Sequence, residues 1–176
     1  MKFDTLKVSF SDIQNIDISS AAESLVLSFA QKGKTLSSAE SCTGGLFGSF
    51  ITEISGASAV YLGGVVSYTN EVKKAVLGVS EATLSEHTAV SEITACEMAQ
   101  GVKKALGSDF SVSVTGYAGP TGGDAKNPVG TVFVCISSEN GESVTRLSFD
   151  DGISRKNIRE YAVYFMISEL TGLVCA

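Results

Sequence analysis

From Ser20 onward the apolar residues follow two rhythms that alternate along the chain, one helical and one of period two. Ala21, Ala22, Leu25, Val26 and Phe29 share a helical face that Gly33 terminates. A short strand over Thr35–Ala39 leads into Ala39-Glu40-Ser41-Cys42-Thr43-Gly44-Gly45. Leu46, Phe47, Phe50, Ile51 and Ile54 then return to helical spacing, so Ser41–Gly45 lies at a strand-to-helix junction. Val60–Tyr68 reads as a strand and Asn70–Gly78 as a short helix capped by Asn70. Ser91, with Glu92 in the first turn, opens a longer helix whose buried face is Ile93, Cys96, Ala99, Val102 and Leu106. Phe110–Thr115 alternates as a strand and ends in glycine-rich sequence. Val129–Ile136 and Ser143–Phe149 form two strands around Glu139-Asn140-Gly141, a tight-hairpin signal. Ile158, Tyr161, Ala162, Phe165 and Leu170 define a C-terminal amphipathic helix. Interleaved helices and strands with one late hairpin predict a single three-layer α/β/α sandwich with a mixed sheet, over residues 20–176. Residues 1–19 are polar and weakly patterned, an N-terminal extension with room for one strand.

Composition narrows the partners. Apolar residues make up 44% of the 176 and charged ones 18%, which suits a buried core and argues against disorder. The net charge is −6 and no basic cluster is denser than Lys73-Lys74 or Lys103-Lys104, so a nucleic-acid partner is not expected. An anionic small molecule remains open, because helix N-termini and a few cations hold one phosphate against an acidic background. No signal-peptide core and no membrane-length apolar run occur, so a cytosolic protein without membrane contact is expected. Cys42, Cys96, Cys135 and Cys175 form no C-x-x-C and no metal spacing, which reads as reduced, mostly buried thiols.

Three segments carry more chemistry than connections need. In Ala39–Gly45, a strand entering a helix aims backbone N–H groups at one point. Ser41 would be the nucleophile, and the N–H groups near Thr43, Gly44 and Gly45 an oxyanion hole. On spacing alone, a helix cap with Cys42 packed in the core is the simpler reading. In Ser67–Lys73, S-Y-T-N-E-V-K, Lys73 could serve as the base and Tyr68 orient it or relay a proton. Solvated surface lysines are the alternative. Thr115–Gly130 holds five glycines and two prolines. It fits neither a Walker loop nor a dinucleotide fingerprint, yet it could wrap a ligand with backbone donors.

Together, A-E-S-C-T-G-G at 39–45, S-Y-T-N-E-V-K at 67–73 and T-G-Y-A-G-P-T-G-G at 115–123 resemble the CinA C-terminal domain family, the nicotinamide-nucleotide amidases. The likeness runs from about Ser20 to Leu170. It implies hydrolysis of nicotinamide mononucleotide to nicotinic acid mononucleotide and ammonia, with no metal and no cofactor. By that likeness Ser41 attacks the carboxamide carbon, Lys73 moves the proton, and Tyr68 and Thr115 assist. Thr43, Gly44, Gly45, Gly116, Gly119, Gly122 and Gly123 line the substrate site, and Arg155 pairs with the phosphate. Arg159 matches a second family arginine and reads as structural. The family also suggests a homo-oligomer. Two departures stand out: Asn127 replaces the lysine common before P-V-G, and Asp150–Ser154 does not keep the family's G-D-R run into Arg155. They keep alive a catalytically silent nucleotide-binding or interaction domain. A cysteine hydrolase using Cys42 and His87 is a third reading.

Overall fold

A computed structural model describes residues 1–175. Six strands form one mixed sheet in the order β1-β6-β5-β4-β2-β3. They are β1 (Lys2–Val8), β2 (Leu36–Glu40), β3 (Tyr61–Val66), β4 (Phe110–Gly116), β5 (Thr131–Ser138) and β6 (Gly141–Phe149). Strand β2 runs parallel to both β3 and β4, while β4–β5 and β5–β6 are antiparallel. The stretch before Ser20 joins the fold at its margin: β1 pairs in parallel with β6 and makes one edge of the sheet. A one-turn helix, α1 (Phe10–Ile13), follows it.

Each face of the sheet is covered by helices, which gives the three layers expected. On one side lie α2 (Ile18–Lys32), α3 (Leu46–Thr52) and α7 (Arg155–Cys175). Their apolar faces meet Val112, Val114, Val132, Val134 and Ile136 in the main core. On the other side α6 (Glu92–Leu106) covers Phe133, Cys135 and Val144, flanked by α4 (Asn70–Leu77) and α5 (Glu81–His87). Punctuation follows side-chain chemistry. Asp17 caps α2, accepting from Ser20 N–H, and Ser91 caps α6, accepting from Thr94 N–H. Gly33, Gly78 and Gly107 end α2, α4 and α6 in the left-handed conformation that costs glycine least.

Two local readings change. The cap of α4 is Thr69, whose hydroxyl accepts from Val72 N–H, one residue before the expected Asn70. Residues 81–87, which carry no helical pattern in the sequence, form α5, so His87 ends a helix. The alternation of β4 also has an unexpected meaning. Its polar side faces α6 rather than water. Ser111 Oγ donates to Ala99 O at 2.7 Å and Ser113 Oγ to Ala95 O at 2.5 Å. Hydroxyls that find carbonyl partners are buried at little cost and let the helix sit close.

Candidate active site

The carboxyl ends of β2, β3 and β4 converge on one edge of the sheet. Chain order reverses there, since β3 lies on one side of β2 and β4 on the other. Crevices of open α/β sheets form at such switch points. A cavity of about 310 Å³ opens here. Its walls include Ser41 and Cys42 after β2, Tyr68 after β3, Lys73 on α4, Ala89 and Val90 before α6, Thr115–Gly119 and Thr121 after β4, and Arg155 at the start of α7. A larger surface groove between α4 and α6 holds neither the nucleophile candidate nor its base candidate.

At the centre, Lys73 Nζ donates to Ser41 Oγ at 3.0 Å and to Ser67 O at 2.6 Å. Two residues remote in sequence thus meet across the cavity mouth. Lys73 is 1% exposed, and among the described residues no carboxylate forms an ion pair with it. Burial therefore holds its amine below the ordinary lysine range, with the neighbouring Cys42 opposing weakly. Burial pushes the Cys42 thiol up to about 11, which leaves it protonated at neutral pH. His87 lies outside the cavity lining, its Nε2 4.0 Å from a Glu86 carboxylate oxygen. The pair needed for a cysteine hydrolase is not assembled.

Glu40 occupies much of the helix terminus that the sequence offered as an oxyanion hole. This buried carboxylate turns forward over the start of α3. Oε2 accepts from Thr43 Oγ1 at 2.7 Å and from the N–H groups of Gly45 and Phe47 at 3.1 Å each, and Oε1 accepts from Gly48 N–H at 3.0 Å. Gly44 N–H is taken by Ser41 O. The donors of Gly44 and Gly45 are thus spent inside the turn, and neither glycine nor Thr43 reaches the cavity. Both glycines serve the turn itself, at φ 63° and 94°. The N–H groups of Cys42, in the lining directly after Ser41, and of Thr43, outside it, have no such partner among the described residues.

The remaining candidates divide cleanly. Thr115, Gly116 and Gly119 line the cavity, whereas Gly122 and Gly123 sit exposed farther along the loop and outside it. Tyr68 is 62% exposed on the rim, and its hydroxyl bonds neither Lys73 nor Ser41, so no proton relay through it is in place. Arg155 lines the mouth and spends one donor on Gly119 O at 2.7 Å. Arg159, one turn later, donates to Thr43 O at 2.7 Å and so braces the turn that carries Ser41. The lining residues Ala89 and Val90 were not anticipated, and neither was Glu40. Small apolar residues in a loop and a carboxylate ending a strand carry no local signal of such a role. Among the described residues no cluster of His, Cys, Asp or Glu could hold a metal ion, and no helix is long and apolar enough to cross a membrane.

Similarity agrees with this geometry. The model of the family described as "CinA C-terminal domain" matches residues 18–174. A protein named "Nicotinamide-nucleotide amidohydrolase PncC", from Escherichia coli (strain K12), is 43% identical over 139 residues, covering 79% of this chain and 84% of that one. A "CinA-like protein" of Pseudothermotoga lettingae is 41% identical over 154 residues, and this chain spans 38% of its length. The share is 28% for a "CinA-like protein" of Thermotoga maritima. The crystal structure of competence/damage inducible protein CihA from Agrobacterium tumefaciens superposes with a TM-score of 0.86 at 41% identity, covering 90% of this chain and 96% of that one. The chain belongs to the CinA C-terminal domain family.

Proposed function

We propose that this chain hydrolyses the carboxamide of nicotinamide mononucleotide, with Ser41 as nucleophile and Lys73 as its base. The observation that carries the reading is the 3.0 Å contact between a buried lysine amine, without an ion pair among the described residues, and a serine hydroxyl inside a cavity. A relative bearing the amidohydrolase name over most of both lengths supports the substrate class.

An amide is a weak electrophile with a poor leaving group, so it needs a base, an oxyanion donor and an acid. Burial makes the neutral amine of Lys73 accessible, and Ser67 O aims it at Ser41 Oγ. Ser41 Oγ adds to the carboxamide carbon as Lys73 takes its proton. Cys42 N–H faces the developing oxyanion, as the residue after a nucleophile does in other strand-to-helix elbows. The lysine ammonium then protonates the departing nitrogen, and ammonia leaves an ester on Ser41. Water, deprotonated by Lys73, cleaves that ester to nicotinic acid mononucleotide and restores the serine. Arg155 keeps donors beyond the one given to Gly119 O, and these suit the nucleotide phosphate.

The test is ammonia release from nicotinamide mononucleotide by the purified wild type, with product identified by chromatography. Ser41→Ala should lose turnover while retaining nucleotide binding by calorimetry. A wild type that binds the nucleotide yet releases no ammonia would leave a silent binding domain in place of the enzyme.

A further inference from the structure

The connection between α5 and α6 is built with more constraint than a connection needs. Thr88 has φ 66° and ψ 175°, the one non-glycine residue with positive φ among those described. That region is essentially glycine-only, so a branched residue held there is strained. Three side chains from three different places hold the strain in. Thr94 Oγ1, on α6, donates to Thr88 O at 2.7 Å. Thr115 Oγ1, at the end of β4, donates to Ala89 O at 2.7 Å. Asn127 Nδ2, in the long loop, donates to Val90 O at 3.0 Å. Three consecutive carbonyls are each tied to a buried side-chain donor, and the last two belong to residues that line the cavity.

Asn127 is held at a cost. With its amide nitrogen on Val90 O, its Oδ1 is buried without a partner, although the residue is only 3% exposed. An orphaned buried acceptor is unfavourable, so stability alone does not account for the placement. Its backbone is fixed as well. Asp124 Oδ1 accepts from the N–H groups of Lys126 and Asn127, and Asp124 N–H donates to Asn127 O. One loop thus lines the cavity with Tyr117–Gly119 and Thr121 and braces another wall with Asn127.

From this we propose that Thr88–Val90 is a pre-formed specificity wall of the cavity, with Thr94, Thr115 and Asn127 as its positioning residues. The proposal rests on the amidase reading and deepens it. Each of the three carbonyls already holds a donor from the protein, so the wall keeps reduced acceptor capacity for a ligand, and half-buried Ala89 fronts it while Val90 packs into the core behind. Such a surface suits the flat face of an aromatic ring better than a flexible polar amide. A rigid wall lowers the ordering cost of binding, and a displacement of about 1 Å in such a site is worth up to ~10²-fold.

The experiment uses the full chain and three variants outside the cavity lining: Thr94→Val, Asn127→Leu and Thr88→Gly, with Thr94→Ser as the conservative rescue. The affinity for nicotinamide mononucleotide is measured by calorimetry, kcat and KM by ammonia release, and Tm by scanning calorimetry. We expect Thr94→Val and Asn127→Leu to raise Kd and KM together by about 10-fold with kcat within about threefold of wild type, and Thr94→Ser to restore both. Thr88→Gly is the sharper case. Glycine adopts that backbone without strain, so Tm should hold or rise while KM still rises, a split that a merely structural role does not produce. Unchanged Kd and KM in folded Thr88→Gly and Thr94→Val would overturn the wall, and so would a loss confined to kcat. Should the wild type neither bind nor hydrolyse the nucleotide, the amidase reading falls and the wall with it. Normal wild-type turnover with insensitive variants removes the wall alone.

Discussion

Replacing Lys73 by methionine keeps an unbranched side chain only one atom shorter and removes the amine, so it separates the cost of burying that amine from its use. In the wild type Nζ has two partners, Ser67 O and Ser41 Oγ, and no carboxylate within ion-pair distance among the described residues. Two effects oppose each other in the variant. Ser67 O, on a fully buried residue, loses its donor, which costs about 1–3 kcal/mol. Against this, an ionisable group leaves an environment where charge carries a penalty of several kcal/mol (~3–5 as a working range). The two ranges leave a balance of about 0–4 kcal/mol in favour of the methionine, so Tm at neutral pH should hold or rise. The sign of the pH dependence follows from linkage. The folded-state pKa of Lys73 lies below its unfolded value of 10.5, so between the two the unfolded chain binds the extra proton and wild-type stability increases with pH. The variant lacks that term. The gap between the melting temperatures should therefore be widest near neutral pH and close as pH approaches about 10.5. Turnover should fall by at least ~10²–10⁴-fold. Scanning calorimetry across that pH range and an ammonia assay on the same samples make the measurement. A methionine variant that melts below wild type at neutral pH, or a gap that widens with pH, would show an amine held charged by partners absent from this account. Near-normal turnover would place the base elsewhere.

Three further outcomes are expected. Glu40→Ala leaves three backbone donors and the Thr43 hydroxyl unpaired, which should cost at least about 3 kcal/mol and lower Tm by roughly 6–12 °C, with Glu40→Gln milder; an unchanged melt would contradict its capping role. Cys42→Ala should keep most turnover, and alkylation of wild type by iodoacetamide near neutral pH should be slow, because burial has pushed the thiol up to about 11; rapid inactivating alkylation would return the thiol to consideration. Arg155→Ala should raise KM with little change in kcat, and an effect on kcat alone would argue against phosphate anchoring.

What the sequence made legible was whatever local chemistry announces. Helix ends at Gly33, Gly78 and Gly107, the cap at Ser91 and the hairpin at Asn140-Gly141 are set by residues whose φ preferences or side-chain acceptors act within a few positions. Strand β1 and helix α5 were faint for a physical reason. Strand β1 is an edge strand with six of its seven residues exposed, so no alternation is enforced. Helix α5 buries one threonine and is held by polar bonds to Glu97, which receives Thr83 Oγ1 at 2.6 Å and Ser80 N–H at 2.8 Å. Hydrophobic periodicity is blind to a helix anchored in that way.

The same reasoning explains why a candidate lysine can be picked out of the sequence and free backbone donors cannot. A side chain is a distinct chemical object, so a lysine after S-Y-T-N-E-V can be singled out and then tested by distance. Backbone N–H groups are carried by every residue but proline, and a glycine-rich turn at a helix start always displays several. Which of them stay free depends on what accepts the others. Here Glu40 precedes Ser41, yet its carboxylate reaches Gly45, Phe47 and Gly48, five to eight residues ahead. That reach satisfies the end of α3 and holds the turn beneath Ser41, with Arg159 bracing Thr43 O. In the proposed mechanism this leaves the helix terminus a small part, since a dipole already answered by a buried carboxylate has little left for a substrate oxyanion. The N–H groups of Cys42 and Thr43 are left without an acceptor among the described residues, and of the two residues only Cys42 lines the cavity, one position past Ser41.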